Sequence, residues 1–209
     1  MRIAVLACDA LRKEIDHFVD GDEDIVHKEY LEFGLHLHPD ELKAVIEERL
    51  RGLVGKVDAV FLGYGHCQSL QGIAQAAPLP TVMLETEDCI AALLTTERYH
   101  AEKRNGGITW FYPAGWAVNG TPGIIRLFHL DSVEEYPPEY FLKIMFDGFS
   151  RCLFIDTGMP GAEECEACSR DLARTLELRH ERCSGSLAMI EEAIARTKAV
   201  ARAVSGGAP

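Results

Sequence analysis

Uninterrupted apolar runs alternate along this chain with stretches in which apolar residues recur every three or four positions. Ile3–Ala7 and Val57–Leu62 are runs of the first kind, and each predicts a strand covered on both faces. Between them, Leu11, Ile15 and Phe18 share one face of a helix predicted over Asp9–Val19. Leu42, Val45, Ile46 and Leu50 share one face of another, which opens at Pro39-Asp40-Glu41. Proline suits a first helical turn because its missing N–H has no partner there, and carboxylates suit the positive end of the helix dipole. Tyr30–Leu37 mixes apolar and polar residues and reads as a strand. Further strands are predicted at Thr81–Leu84, Ile108–Tyr112, Cys152–Ile155 and around His180–Cys183. Further helices are predicted over Gln68–Ala76, Asp88–Thr95, Glu139–Phe149, Gly161–Leu176 and Ser186–Ala203. Residues 117–137 show no clear period.

Strand and helix in alternation predict an α/β fold: a single doubly wound, mostly parallel, Rossmann-like sheet with helices on both faces and the first strand central. No repeat, linker or change of composition divides the chain, so one domain is expected over residues 1–204, with a disordered tail at 205–209. A chain of 209 residues buries a full core without disulfide staples.

Charge narrows the partners. The formal net charge is -12 and the acidic residues are spread along the chain, which argues against non-specific binding to nucleic acid or to an anionic membrane. No apolar run approaches the roughly 20 residues of a membrane span, and the apolar start of the chain ends too soon for a signal peptide, so a cytoplasmic protein is expected. In a reducing compartment its 7 cysteines are core residues, reactive thiols or metal ligands.

Three of those cysteines occupy equivalent places. Cys8, Cys67 and Cys89 each follow a predicted strand and precede a predicted helix. In a doubly wound sheet such points line the carboxyl edge, where ligands bind. A fourth such point carries His36 and His38. Thiolates and neutral imidazoles suit zinc, and thiolates also suit iron–sulfur clusters. Helix N-termini favour the thiolate form, and a bound cation removes the repulsion among three of them. Cysteine is also among the most buried residue types, so each of the three alone would fit a core position equally well. Their coincidence at strand ends is what argues for a site. Gly63-Tyr64-Gly65-His66-Cys67 is a glycine-rich turn that lets backbone approach a ligand closely, with Tyr64 and Gly65 expected to line a pocket and His66 reading either as a pocket residue or as a surface loop residue. Asp88 reads as a helix cap or as a group orienting a ligand, and Trp116 as core or as a pocket wall. Cys165-Glu166-Ala167-Cys168 falls inside a predicted helix with no second pair, so both thiols are expected to be reduced and unligated.

The chain resembles the DUF1638 family. The resemblance rests on Ala7-Cys8, His36 before Pro39, Gly63-Tyr64-Gly65-His66-Cys67, Asp88-Cys89-Ile90 with Leu93-Leu94, and Tyr99. It extends through Gly107–Tyr112 with Gly115-Trp116, Asp156-Thr157-Gly158 and Gly185-Ser186-Leu187. Where this chain has Gln68 and Thr95, family members tend to have glycine. The resemblance implies a one-domain α/β protein associated with corrinoid-dependent methyl-transfer systems, and it favours His36 over His38. It places Cys8, Cys67 and Cys89 among the family's motif positions, and together with the reading of the residues it leads to the expectation of a metal or cluster, zinc or iron–sulfur, held by Cys8, Cys67, Cys89 and His36 and acting in or beside one-carbon metabolism. The activity would be that of a methyltransferase or of a methyl-transfer accessory, with a small-molecule substrate or a corrinoid protein as partner. Two alternatives stand beside it: a non-catalytic accessory that binds a corrinoid protein or carries a cofactor, and a metal-free α/β domain with a small-molecule pocket. Homo-oligomerisation is compatible with all three. No carboxylate pair, serine–histidine–aspartate set or nucleotide fingerprint is visible to specify a reaction.

Overall fold

The computed structural model describes residues 1–67, 70–132 and 135–206. The chain divides into two compact units, Met1–Ala92 together with the chain from Leu187 onward, and Leu93–Ser186.

The first unit is built on β1 (Ile3–Cys8), β2 (Ile25–Leu31), β3 (Ala59–Gly63) and β4 (Thr81–Met83), all parallel, in the order β2-β1-β3-β4. β1 is buried at every residue and lies between β2 and β3, as its unbroken apolar run requires. Ala7 pairs with Gly63, and a Cβ on Gly63 would stand 2.5 Å from that of Ala7. β2 is an edge strand and carries charge: Lys28 reaches Asp16 at 2.9 Å and Arg49 reaches Glu29 at 2.7 Å. Charge on an edge discourages pairing with another chain. Chain order reverses between β1 and β3, which makes their carboxyl ends the switch point of this sheet.

Helices α1 (Arg12–Val19), α2 (Pro39–Leu53), α3 (Ile73–Ala76), α4 (Ala91–Leu94) and α10 (Ala188–Gly206) complete this unit, although α4 continues past its boundary. Leu42, Ile46 and Leu50 form the buried stripe of α2. α10 packs on β1, β3 and β4, with Ala201 meeting Ile3 and Ala59.

The second unit is built on β5 (Thr109–Pro113), β6 (Arg151–Asp156) and β7 (Arg179–Ser184), parallel in that order. Around them run α5 (Thr96–Asn105), α6 (Ala114–Ala117), α7 (Gly120–Leu127), α8 (Pro138–Met145) and α9 (Ala162–Thr175). Arg151, at the start of β6, has a side chain only 4% exposed and bonds Glu102 at 2.8 Å and Glu181 at 2.7 Å.

The expectation of one continuous sheet is corrected: the described strands form two sheets, one of four strands and one of three. Alternation specifies parallel pairing but not how many sheets result. β4 is only three residues long, and the helices over residues 91–105 separate it in sequence from β5. The helix predicted over Asp9–Val19 begins with a 3-10 turn at Asp9–Leu11, and β2 lies earlier than the predicted Tyr30–Leu37 strand. α10 runs through Ser205 and Gly206, while residues 207–209 of the predicted tail lie outside the described residues. Among the described residues no helix is long and apolar enough to cross a membrane.

Candidate metal centre

Cys8 is the last residue of β1 and 1% exposed. His36 stands in a 3-10 turn, Phe33–Leu37, between β2 and α2. Cys89 lies in the segment between β4 and α4 and is 9% exposed. The topology of the first unit brings these three positions to one place, at the switch point. Cys8 Sγ is 3.4 Å from His36 Nε2, and the ligand atoms of Cys8, His36 and Cys89 all lie within 4.8 Å of one another.

The two loops that carry the site are pinned together. Gly65 lies so close to Asp88 that a Cβ would meet its Cα at 2.6 Å and its carbonyl carbon and nitrogen at 2.7 Å. The amide of His66 donates to the carbonyl of Thr86 at 2.6 Å, and that of Leu84 donates to the carbonyl of Tyr64 at 3.2 Å. The Thr86 hydroxyl donates to the carbonyl of Asp88 at 2.9 Å, and the amide of Ala91 donates to the Asp88 carboxylate at 2.8 Å, which caps α4. The Gly65-Asp88 contact therefore sets where Cys89 stands.

The electrostatics suit a ligand set. The Cys8 thiol bonds Cys89, which pushes Cys8 well above the usual thiol range, and burial adds to this. The same bond pulls Cys89 down, helped by the backbone N–H of Gly65 and opposed by burial. Of the two, Cys89 ionises first. Burial lowers His36, partly offset by the Asp88 carboxylate, so its imidazole is held neutral, the form that binds a metal. The His36 ring is stacked on Phe33, centroids 5.0 Å apart, and lies 5.8 Å from Tyr64. Tyr64 is buried at 1% exposure; burial first, then the nearby thiols of Cys8, Cys89 and Cys67, push its hydroxyl far above the usual phenol range.

A tetrahedral zinc with bonds of about 2.3 Å to sulfur and about 2.0 Å to nitrogen places two sulfurs about 3.8 Å apart and sulfur and nitrogen about 3.5 Å apart. The observed 3.4 Å between Cys8 and His36 matches the sulfur–nitrogen value, and the third ligand atom lies within 4.8 Å of both, a spacing compatible with a metal.

The remaining predicted residues lie around or away from this group. Cys67 is half-buried in the loop after β3, where its carbonyl accepts from Leu70, and its sulfur is not one of the three grouped atoms. Gln68 lies outside the described residues. His38 is exposed at the start of α2. His66 faces Glu85 at 3.6 Å. Trp116 is buried in the second unit against Trp110 and Tyr112. Cys165 and Cys168 lie on α9 and are not joined in a disulfide. Phe33 was missed; its place three residues before His36, one helical turn away, was the available signal.

Comparison with curated proteins finds no match, and comparison with solved structures finds none. A family match covers residues 30–194, a stretch that includes His36, Tyr64, Cys67 and Cys89 and begins after Cys8. That match is to the family described as "Protein of unknown function (DUF1638)", and the chain belongs to it.

Proposed function

We propose that Cys8, His36 and Cys89 hold a single zinc ion with one coordination position left for a small substrate, and that the protein acts in or beside methyl-group transfer. The observation that carries the metal is the grouping of three ligand atoms within 4.8 Å at the switch point. Ligands to separate irons of a cluster stand further apart than ligands to one ion, so this spacing supports zinc over an iron–sulfur cluster. Bound there, zinc would supply the Lewis acidity that lowers the pKa of a substrate thiol, the nucleophile for a methyl group. The chain's own part is positional. Phe33 and Tyr64 hold the His36 ring and keep water from it, the Gly65-Asp88 contact places Cys89, and Asp88 faces His36. The methyl-transfer part rests on the resemblance to a family associated with corrinoid-dependent systems, with a corrinoid protein as the methyl donor.

A second reading follows from Cys67, whose thiol lies near the Tyr64 hydroxyl. A fourth thiolate from Cys67 would close the coordination sphere and make the protein a non-catalytic accessory to a corrinoid protein.

The test is elemental analysis of protein purified without oxygen and without a metal-affinity tag. About one zinc per chain is expected, as for any single-ion site. Cys8→Ala and Cys89→Ala should lose most of it, while Cys165→Ser with Cys168→Ser should lose none. A metal-free wild type, or full metal in Cys89→Ala, overturns the zinc reading. Loss of metal in Cys67→Ala moves the conclusion to the closed site. If a methylated corrinoid protein neither binds the zinc-loaded chain nor loses its methyl group to a thiol in its presence, the methyl-transfer part fails.

A further inference from the structure

Tyr64 follows β3 directly and lies at the switch point with the metal ligands. Its side chain is almost wholly buried, yet its hydroxyl has no hydrogen-bond partner among the described residues. A buried hydroxyl without a partner is costly, and natural proteins keep few of them. The thiols of Cys8, Cys89 and Cys67 lie near enough to act on it electrostatically, but none accepts its proton. A donor in such a place is satisfied only by something that enters.

Resting on the reading of a three-ligand zinc centre with an open position, we infer that the Tyr64 hydroxyl is the hydrogen-bond donor for a small thiolate that fills this position. The donor set selects the chemistry. Two sulfur ligands favour a soft third, and a thiolate suits them better than a carboxylate. Two thiolates already balance the charge of a divalent ion, so a further anion needs a donor, and the hydroxyl supplies one. A neutral imidazole bound through one nitrogen keeps no acceptor for that hydroxyl, so Tyr64 discriminates between the two kinds of ligand.

Tyr64→Phe deletes the hydroxyl and keeps the ring against His36. Zinc- and cobalt(II)-loaded wild type and variant are titrated with 2-mercaptoethanol and with imidazole, binding being followed by the cobalt spectrum and by calorimetry. Equal metal content is expected in both proteins, with imidazole affinity unchanged. The variant should bind 2-mercaptoethanol roughly tenfold or more weakly, the loss expected of a hydrogen bond to a charged group. Without metal, the variant should be at least as stable as wild type, because it buries no unpartnered hydroxyl. Equal thiol affinity in the two proteins overturns the inference, as does a parallel loss for both ligands, which would mark a structural role. A wild type that holds zinc but binds neither ligand has a closed site: the inference then fails while the zinc reading stands. A wild type without metal overturns the zinc reading itself, and the inference with it.

Discussion

Gly65→Ala tests the contact that sets the geometry of the candidate metal centre. The added Cβ would lie 2.6 Å from Asp88 Cα and 2.7 Å from two further backbone atoms of that residue. Ordinary carbon contacts begin near ~3.5 Å, so the overlap is about 0.9 Å against backbone, which no rotamer change relieves. The two loops must therefore separate by about that distance. The bond from the Leu84 amide to the Tyr64 carbonyl, already 3.2 Å, would stretch past hydrogen-bonding range, and the bond from His66 to Thr86 would weaken. Overpacking costs about 1–3 kcal/mol, and the two bonds contribute about 1 kcal/mol each, so a loss of about 3–5 kcal/mol is expected. The displacement is passed to Cys89, the residue after Asp88. Metal sites tolerate only about 0.2 Å of error in ligand distance, so zinc affinity should fall roughly 10- to 100-fold. Urea unfolding of the metal-free protein measures the first effect, and zinc competition against a chromophoric chelator measures the second. A variant within about 0.5 kcal/mol of wild type, the range of ordinary surface changes, with unchanged zinc affinity would refute the reasoning.

Two further predictions concern the second unit. Arg151→Met leaves Glu102 and Glu181 facing a buried apolar side chain and should cost about 3 kcal/mol, the low end for a broken buried pair, because both carboxylates are partly solvated. The bond from Arg151 holds Glu181 below its ordinary range, so the pair's stability is present above about pH 4.3 and is lost as pH falls through the lowered value; the variant should flatten that acid limb of urea unfolding. Thr95 sits at φ 65 and ψ 152, a region open almost only to glycine, so Thr95→Gly should raise stability by about 1 kcal/mol once a weakened cap and a freer unfolded chain are deducted from the strain relieved; a lower melting temperature would count against it.

How much of the fold could be read from the chain depended on burial. β1 and β3 announce themselves as apolar runs because both their faces are covered, and their adjacency with β1 central matches the pattern. β2 was displaced in the reading because an exposed edge strand carries Ile25-Val26-His27-Lys28-Glu29, with the charges in ion pairs rather than in an apolar stripe. The number of sheets was not legible, because strand order is a matter of non-local pairing. The positive φ of Thr95 was not legible, because it is imposed by the surrounding structure and nothing in Leu94-Thr95-Thr96 signals it.

The site shows where a topological argument stops. Cys8, Cys67 and Cys89 were placed together because each follows a strand, and the sheet does bring Cys8 and Cys89 to one point, with His36. Strand ends fix direction, but the loop that follows fixes distance, and each residue can carry the chain up to about 3.5 Å. Cys8 closes its strand and needs no loop. Cys89 is six residues beyond β4, yet the contact between Gly65 and Asp88 brings it back. Cys67 is four residues beyond β3, past the point where Gly65 and His66 are tied to the neighbouring loop. Tyr64, the first residue after that strand, is the one whose polar group ends up unpartnered beside the thiols. Of the two glycines that suggested a close approach of backbone to ligand, Gly65 instead allows a close approach of loop to loop, and Gly63 one of strand to strand. The approach of the two loops puts one thiol in the candidate ligand group, and under the proposed reading the neighbouring tyrosine is the donor that a substrate would meet.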